Sequence, residues 1–485
     1  MDTVVVWFRR DLRLHDNETL ARAVADADEV VPLYVFDPSE YAGSRYVDVP
    51  KTGPYRASFV RESVADLRAL LRARGGDLLV RHGDPAEQVP AVVDRFDAEA
   101  VYAGTIPSTE EQAVESATRA AVAERGASFE RFWTHTLYHA DDLPTPVDAI
   151  DDTYTPWRKE VEREATVRET VATPTAVPTP AFDPGDVPTL DALGVDEATV
   201  AGRAVDPSVD DRAAITFRGG ASAGRERLQE YVWEEDNLRR YKETRNGLLG
   251  ADFSSKLSAW LSQGCLSPRY VYEEVQRYEN DRVSNDSTYW LVFELLWRDF
   301  FQFQFRKHGA AFFRPQGIRG ESAGKRWRHD EPTFRQWARG ETGIPFVDAN
   351  MRELNATGYM SNRGRQNVAS FLADVLGIDW RWGAAYFESL LTDYDPASNW
   401  GNWAYQAGVG NDSRDNYFDV LSQADRYDSN AEYVTHWLPE LSALPPEYAH
   451  RPWRLSDGAA AEYGVRLGVD YPEPMLDIEE WYRTH

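Results

Sequence analysis

The segment 290–301 places three chemically different side chains at helical spacing. Glu294, Trp297 and Arg298 stand at i, i+3 and i+4, so a helix would bring a carboxylate, an indole and a guanidinium to one face. Burying that charge pair among apolar neighbours costs free energy unless a ligand or another group satisfies it. A simple i,i+4 salt bridge at the edge of a core is the alternative, and this segment alone does not decide between the two.

An amide-rich helix face is predicted further along the chain. Asn362, Arg365 and Gln366 again fall at i, i+3 and i+4. Amide and guanidinium groups can recognise base edges and phosphates, but they also occur on solvated faces. The apolar residues that follow predict an amphipathic helix over 367–380.

The loop 393–405 holds two carboxylates, Asp393 and Asp395, together with Asn399 and several aromatic rings. Such a group is costly to hold in a helical region without a function. No histidine lies near it in the sequence to complete a metal site, so a hydrogen-bonded cofactor pocket is favoured and no metal is predicted.

The segment 250–258 supplies hydroxyl groups and a lysine, Lys256, directly before an apolar helical run. Hydroxyls and free backbone N–H groups at the start of a helix can form an anion site suited to a pyrophosphate. An ordinary N-cap is the commoner outcome for an isolated pair of serines.

The first third of the chain predicts the elements of a parallel sheet. Short apolar runs, expected to be strands, alternate with amphipathic segments, expected to be helices. The strands are expected at 4–8, 30–36, 78–81, 100–102 and 129–132, and the helices at 17–27, 58–74, 85–96 and 109–125. No glycine-rich dinucleotide motif and no phosphate-loop lysine motif follows these strands, so neither standard nucleotide site is predicted there.

The composition changes between the two halves of the chain. From about 170 to 210 it is rich in Pro, Thr, Ala and Asp, which is typical of a surface linker, and helical spacing follows. We therefore predict an α/β domain with a Rossmann-like parallel sheet at 1–135, a linker at 136–210 and an all-α domain at 211–485.

The net charge of −27 would repel a nucleic acid if it were spread evenly. It is uneven, because acidic residues crowd the first 210 positions and a later stretch is rich in arginine, so a local basic face stays possible. That stretch holds Arg298, Arg306, Lys307, Arg314, Arg319, Lys325, Arg326, Arg328, Arg352, Arg363 and Arg365. Only six of the 53 basic residues are lysines, and with the acid excess this resembles a protein from a salt-loving organism such as a haloarchaeon.

The single cysteine, Cys265, can form neither an internal disulfide nor a multi-cysteine iron–sulfur site. The sequence shows no signal-peptide pattern and no apolar stretch of about eighteen residues, so we expect a soluble, cytoplasmic protein without a membrane partner.

Taken in order, the segments described above resemble the flavin-binding domain of the photolyase/cryptochrome family. The segments 6–17 and 343–352 extend the resemblance over nearly the whole chain, and 241–250, 264–269 and 290–301 resemble the DASH group of that family. The resemblance implies a blue-light-dependent deoxyribodipyrimidine photo-lyase, which splits cyclobutane pyrimidine dimers in DNA by electron transfer from reduced FAD. We expect a monomer.

The resemblance assigns a set of residues to FAD. They are Tyr241, Ser254, Ser255, Lys256, Leu257, Ser258, Arg298, Arg365, Asp393, Tyr394, Asp395 and Asn399. Arg365 would pair with Asp393, and Asn399 matches the residue that faces flavin N5, where asparagine favours the fully reduced flavin. A route of three tryptophans, Trp403 to Trp380 to Trp327, matches the family's path for electrons to the flavin; core packing is the alternative for any tryptophan.

A second set matches the residues that contact DNA. It comprises Arg245, Glu294, Trp297, Asn362, Arg363, Gln366 and Tyr405. Gln366 and Tyr405 stand where ordinary dimer photolyases carry Met and Trp. The pocket is therefore more polar and recovers less of the cost of unpairing a duplex, so we predict a preference for single-stranded or looped DNA.

An antenna chromophore is implied near Glu111, either methenyltetrahydrofolate or a deazaflavin, although an exposed glutamate that opens a helix needs no ligand. Two other functions stay open. A photoreceptor that signals through a partner is the main rival, and Asn399 counts against it. Repair of (6-4) photoproducts resembles a reaction that needs a histidine where this chain has Asn362.

Overall fold

The computed structural model describes residues 1–195, 199–200, 203–204, 210–411 and 417–484. The strands are β1 (Thr3–Phe8), β2 (Glu29–Phe36), β3 (Leu79–His82), β4 (Ala100–Gly104), β5 (Ser128–Phe132), β6 (Thr199–Val200) and β7 (Arg203–Ala204). The helices of the first half are α1 (Glu18–Asp26), α2 (Pro54–Arg72), α3 (Pro85–Phe96), α4 (Thr109–Ala123) and α5 (Tyr154–Glu164).

The helices of the second half form a separate series. They are α6 (Ala221–Gln229), α7 (Tyr241–Thr244), α8 (Ser258–Ser262), α9 (Pro268–Asp281), α10 (Asp286–His308), α11 (Glu331–Arg339), α12 (Pro345–Thr357), α13 (Asn362–Ser370), α14 (Trp380–Leu390), α15 (Pro396–Gln406), α16 (Val420–Tyr427), α17 (Glu432–Trp437), α18 (Pro446–Ala449), α19 (Asp457–Tyr463) and α20 (Ile478–Thr484). None of the described helices combines the length and apolarity needed to cross a membrane.

Strands β1 to β5 form one parallel sheet in the order β3-β2-β1-β4-β5. The central β1 is buried along its whole length, and its Val5 lies opposite Val31 and Val101. Continuous valine-rich strands are expected where helices cover both faces of a parallel sheet. The predicted α/β domain followed by an all-α domain is confirmed, with strand ends within two residues of those expected.

Helix α10 is the central element of the helical domain. A capping box between Asn285 and Thr288 starts it, and its 23 residues contact α5, α7, α9 and α15. Its side chains therefore reach several neighbouring elements at once, which is the position that a shared site requires.

The continuous helix expected over 367–380 is wrong. Helix α13 ends at Ser370, a π-helical turn follows at Phe371–Val375, and Gly377 has a φ of 63°. A left-handed residue breaks the helical hydrogen-bond pattern, and glycine adopts it without a steric penalty. The chain turns there before α14 begins at Trp380.

The segment 136–210, predicted as a linker, is packed against both domains in part. Within it, α5 places Trp157, which is fully buried, against Phe300 of α10, with ring centroids 5.4 Å apart. Further on, the carbonyl oxygen of Pro178 accepts a hydrogen bond from the backbone N–H of Val30 in β2. The residues 196–198, 201–202 and 205–209 of this segment lie outside the described residues.

Candidate functional site

A cavity of about 400 Å³, here called the main cavity, opens among α7, α10, α13 and α15. Its volume is within the range of cofactor and small-molecule sites, roughly 300–1,000 Å³. Among its lining residues are Tyr241, Arg245, Ser254, Ser255, Lys256, Leu257, Ser258, Glu294, Trp297, Arg298, Asn362, Arg365, Gln366, Asp393, Asp395 and Tyr405. Most residues that the motifs single out, although far apart along the chain, are thus brought to one place.

A second cavity of about 90 Å³, the inner cavity, adjoins the main cavity between α13 and α15. Asn399, Trp403 and Tyr394 line it, together with residues shared with the main cavity. The Asn399 side chain is fixed because its Nδ2 donates to the carbonyl oxygen of Ala384 at 3.0 Å. Its amide oxygen is therefore the group left to face a ligand.

Asp395 caps α15 at the floor of the main cavity. Its Oδ1 accepts from the backbone N–H of Ser398 at 2.7 Å, and Nε2 of Gln302 lies 2.8 and 2.9 Å from its two oxygens. Burial alone would raise the pKa of Asp395, but the neighbouring His135 and the charge of Arg298 hold that pKa well below its ordinary value. Asp395 is therefore an ionised acceptor at neutral pH.

His135 reaches this floor from the loop after β5. Its Nε2 lies 2.8 Å from Nη2 of Arg298 and 3.4 Å from Oδ2 of Asp395. Because the contact with Arg298 is much the shorter, Nε2 acts as the acceptor for that guanidinium. Burial, and then the charge of Arg298, lower the pKa of His135 to about 4, so the ring is neutral.

No histidine is close to the two aspartates in the sequence, but the fold brings His135 next to Asp395. His135 is separated from Asp395 by 260 residues, and no local pattern indicates the contact. Arg298 faces this floor rather than Glu294, so the i,i+4 salt bridge considered from the sequence is not formed; Arg298 donates to the carbonyl oxygens of His135 and Leu261 instead. No group of three potential metal ligands occurs among the described residues.

The ion pair predicted between Arg365 and Asp393 is present. Nη2 of Arg365 lies 2.8 and 3.0 Å from the two carboxylate oxygens. The hydroxyl of Ser258 also donates to Oδ2 of Asp393 at 2.7 Å. These contacts join α8, α13 and the loop before α15, and so hold one wall of the main cavity in place.

Lys256 places its amine at the wall of the main cavity, where Nζ lies over the ring of Phe253 at 3.2 Å from the ring centroid. Its φ of 54° is uncommon for a residue other than glycine, and its buried Nζ has no hydrogen-bond partner among the described residues. Burial lowers the pKa of Lys256 to about 7. A buried amine beside the hydroxyls of Ser254, Ser255 and Ser258 fits an anionic ligand, as the phosphates of FAD would be.

Glu294 lies at the mouth of the main cavity. Arg245, which directly follows α7, forms an ion pair with it and lies over the ring of Trp290 at 4.3 Å. Burial raises the pKa of Glu294, and the charge of Arg245 opposes that rise. The carboxyl group is thus held by a partner that a ligand could replace.

Trp297 and Tyr405 form the aromatic part of the same wall. Trp297 stacks on Tyr154 of α5, with ring centroids 3.6 Å apart, and packs edge to face against Tyr405, with ring centroids 6.2 Å apart. A planar ligand can therefore approach Trp297 only from the side that Tyr154 leaves open. The contribution of Tyr154 could not be found from the motifs, because it comes from the segment predicted as a linker.

Arg363 differs from expectation. It does not line the main cavity; its guanidinium donates to Asn246 at 2.9 Å and to Gln366 at 3.0 Å, and lies over the ring of Tyr427 at 4.6 Å. The Arg363 side chain therefore holds the amide of Gln366, which itself lines the main cavity.

Of the three predicted tryptophans, Trp403 lines the inner cavity. Trp403 packs edge to face against Phe387, with centroids 5.1 Å apart. The indoles of Trp380 and Trp327 both donate to the carbonyl oxygen of Pro315, at 3.0 and 2.8 Å. Trp400, which the motifs did not single out, lies 5.9 Å from Trp380.

Glu111 lines a third cavity, of about 120 Å³, at the junction of the two domains. Its carboxylate lies 3.3 Å from Nη2 of Arg10. Burial raises the pKa of Glu388, on the opposite wall, to about 7. Tyr394 lines both this junction cavity and the inner cavity, so one residue separates the two.

The arginine-rich stretch does not form a uniform basic face. Most of its members are neutralised or buried: Lys307 pairs with Asp152, Lys325 with Asp374, Arg328 with Asp330, Arg352 with Glu440 and Arg365 with Asp393, while Arg298 lies in the main cavity. Exposed members such as Arg306, Arg314 and Arg326 are what is left for an anionic partner.

Two family models match the chain. The model described as the FAD binding domain of DNA photolyase matches residues 290–485, and the model described as DNA photolyase matches residues 4–181. The main cavity also uses residues 241–258, which lie before the first of these matches.

Relatives and solved structures agree with these matches. The chain is 63% identical over 485 residues to a cryptochrome DASH of Natronomonas pharaonis, with both chains fully covered, and this haloarchaeal relative fits the salt-adapted composition. The crystal structure of a Synechocystis cryptochrome superimposes with a TM-score of 0.94 at 44% identity, covering 100% of this chain and 98% of that one. An archaeal photolyase from Sulfolobus tokodaii, solved with two FAD molecules, gives a TM-score of 0.74 at 27% identity, with both chains fully covered.

Proposed function

This chain belongs to the DASH group of the photolyase/cryptochrome family of FAD-binding proteins, and on that premise we propose that it repairs cyclobutane pyrimidine dimers in DNA with blue light. One observation carries the proposal. Glu294 and Trp297, which suit a pyrimidine substrate, line the same cavity as Asp393, Asp395 and the serines of 254–258, which suit the cofactor. A substrate would thus lie directly beside the cofactor.

The residues of the main cavity fit FAD. When bound, FAD supplies the light-driven electron that this chemistry needs. The ionised Asp395 would offer its oxygens to N–H groups of the cofactor, and so would Asp393, whose side chain is fixed by its ion pair with Arg365. With FAD bound, Lys256 would offset phosphate charge, and the amide oxygen of Asn399 would accept a hydrogen bond from a ring N–H.

The mouth of the cavity suits a dimer that has left the base stack. Glu294, whose pKa is raised by burial, can donate a hydrogen bond to a pyrimidine carbonyl when it is protonated and accept one from an imide N–H when it is not. Trp297 offers an aromatic surface for a base. When the Glu294 carboxyl group carries its proton, it can donate a hydrogen bond to the dimer. That hydrogen bond would strengthen as the dimer gains negative charge.

For the junction cavity we propose an antenna chromophore beside Glu111, either methenyltetrahydrofolate or a deazaflavin. The second FAD molecule of the Sulfolobus tokodaii photolyase supports a second chromophore in a relative of this fold. Glu40, at an exposed position, and the half-buried Glu388 both line this cavity and have a raised pKa, and their carboxyl groups can hydrogen-bond ring nitrogens in either chromophore.

Repair is tested with single-stranded DNA that carries one thymine dimer. The photoreduced protein is illuminated under anaerobic conditions in concentrated KCl, and the returning absorbance of the thymines is followed. We expect light-dependent turnover that Glu294→Ala abolishes and that Glu462→Ala, at an exposed position of α19, leaves unchanged. Flavin that photoreduces in a wild-type protein without any repair would instead support a photoreceptor.

A further inference from the structure

Four side-chain amides line the junction of the main and inner cavities. Asn362 and Gln366 come from α13, and Asn402 and Gln406 come from α15. The first two belong to the motif discussed above. Asn402 and Gln406 have no role so far, although they line both cavities.

No described residue forms a hydrogen bond with the Gln406 side chain, which lines the cavities. The surface of the whole residue is 6% exposed. An amide that faces a cavity and is held by no protein group is available to a ligand, and amides that a ligand buries are nearly always hydrogen-bonded. A ligand at the junction of the cavities would supply the missing partner.

The neighbouring amides leave specific groups available. Nδ2 of Asn402 donates to the carbonyl oxygen of Ser398 at 2.7 Å, which leaves the Asn402 amide oxygen as an acceptor. The amide oxygen of Gln366 accepts from Arg363 at 3.0 Å, which leaves the Gln366 NH₂ group as a donor. The Gln406 amide can act as a hydrogen-bond donor or as an acceptor. The junction of the two cavities therefore presents donors and acceptors side by side.

The position of Gln406 along α15 indicates which ligand it meets. Asp395 caps the start of this helix, and Gln406 is its last residue. At a rise of about 1.5 Å per residue, the two lie about 16 Å apart along the helix axis. Gln406 therefore lies at the opposite end of the helix from Asp395, and it directly follows Tyr405 at the cavity wall.

We propose that Gln406 binds the substrate by hydrogen bonding to the pyrimidine edge of the dimer, with Asn402 as a neighbouring acceptor. This inference rests on the proposed function. Thymine offers a carbonyl oxygen at C4 and cytosine an amino group, and the two demand opposite partners. Because no described protein group fixes the Gln406 amide, it can turn over and serve both bases.

The test measures binding in the dark, which needs no electron transfer. Fluorescently labelled single strands carry a thymine dimer, a freshly made cytosine-containing dimer or no lesion, and their affinities are compared for the FAD-loaded wild type, Gln406→Leu and Gln406→Glu. We expect Gln406→Leu to weaken both dimers roughly three- to tenfold. Gln406→Glu, an acceptor when ionised, should weaken the thymine dimer and retain the cytosine-containing one.

Two controls make the result specific. Gln276→Leu, at an exposed position of α9, should bind as the wild type does. The flavin absorption spectrum should be the same in both Gln406 variants and the wild type. Unchanged dimer affinities in Gln406→Leu, with or without a shifted flavin spectrum, would overturn the inference, whereas a wild type that binds dimers but never repairs them overturns only the proposed function.

Discussion

Arg245 and Glu294 form an ion pair across the mouth of the main cavity. The pair joins the end of α7 to the middle of α10, and both side chains keep some exposure, 22% for Arg245 and 30% for Glu294. A substrate that needs Glu294 must share or displace Arg245. DNA brings its own alternative partner for a guanidinium, because each nucleotide carries a phosphate.

Replacing Arg245 by Met should raise the pKa of Glu294 further. Burial raises that pKa already, and Arg245 is the charge that opposes the rise. The protonated form of Glu294 would then persist to higher pH, so the pH midpoint of the repair rate should move upward. The repair rate is measured as a function of pH on a thymine dimer in a short single strand. Arg282→Met serves as the control, because Arg282 is a partly exposed arginine paired with Asp236.

An unchanged midpoint in Arg245→Met would show that Glu294 does not control the pH profile. A loss of repair at every pH, with unchanged dark affinity, would instead indicate that Arg245 itself acts in the reaction.

The protein should repair single-stranded DNA faster than duplex DNA. The amides of Asn362, Gln366, Asn402 and Gln406 make the cavity polar, so a flipped dimer recovers less of the cost of leaving the duplex. That cost is a few kcal/mol, so we expect a ratio of about ten or more at limiting protein concentration. Initial repair rates on the same strand with and without its complement provide the measurement, and equal rates would contradict the idea.

His135→Ala should weaken FAD binding. Without His135, Arg298 loses its acceptor at 2.8 Å and is free to pair directly with Asp395, which would draw that carboxylate away from the cofactor. Hydrogen bonds to charged groups contribute about 1.5–3 kcal/mol, so the dissociation constant should rise roughly ten- to a hundredfold. His135→Gln, whose amide oxygen can accept from Arg298, should restore most of the affinity.

The affinity is measured by titrating the cofactor-free protein with FAD and following flavin fluorescence. His82→Ala, at the exposed end of β3, serves as the control. If the variant lowers the thermal stability of the cofactor-free protein but leaves the FAD affinity unchanged, His135 contributes to packing and not to cofactor binding.

The sequence was informative wherever a local spacing carries the information. Periodicity located the five strands of the sheet, and the i, i+3, i+4 pattern put Glu294 and Trp297 on one face of α10. It failed where one residue changes the backbone: Gly377, with its left-handed φ, ends a helix that the apolar stripe alone would continue.

The sequence also failed where the partners are far apart along the chain. His135 contacts Asp395 although the two are 260 positions apart in the sequence, and Gln302 contacts Asp395 from 93 positions away. Such contacts depend on how the two domains and their connecting segment pack, and no local pattern contains that information. Resemblance to a family supplied the roles of single residues, which composition and periodicity could not.

Trp380→Phe should slow the photoreduction of oxidised flavin. Trp380 and Trp327 share the carbonyl oxygen of Pro315 as hydrogen-bond acceptor, which places the two indoles side by side. Phenylalanine is much harder to oxidise than tryptophan, so a route through Trp380 would be interrupted. Trp400→Phe is the matched variant, because Trp400 packs against Trp380 at 5.9 Å without belonging to the predicted route. Equal rates in all three proteins would remove Trp380 from the route.

Glu353→Gln should stabilise the protein at high pH. Glu353 is buried and accepts a hydrogen bond from the hydroxyl of Tyr433 at 2.7 Å, and burial raises its pKa from about 4.5 to about 7. A carboxyl group with a raised pKa in the folded state holds its proton in the native protein when the unfolded chain has released it. Its contribution to stability is therefore complete below about pH 4.5 and is lost as the pH rises through 7.

Glutamine keeps the acceptor for Tyr433 and cannot ionise, so the variant avoids this loss. The free energy of unfolding in urea is compared at pH 5 and pH 8 in concentrated KCl. At pH 5 the two proteins should differ little, whereas at pH 8 the variant should gain roughly 1–3 kcal/mol relative to the wild type, because a tenfold change in a protonation equilibrium corresponds to about 1.4 kcal/mol. The charge of Lys256 lowers the pKa of Glu353, and the pKa of Lys256 itself is lowered to about 7. When Glu353 ionises, Lys256 therefore gains charge and offsets part of the loss of stability. Without this offset, the stability of Lys256→Met should fall more steeply with pH than that of the wild type. A difference between Glu353→Gln and the wild type that stays constant from pH 5 to pH 8 would mean that Glu353 is ionised throughout.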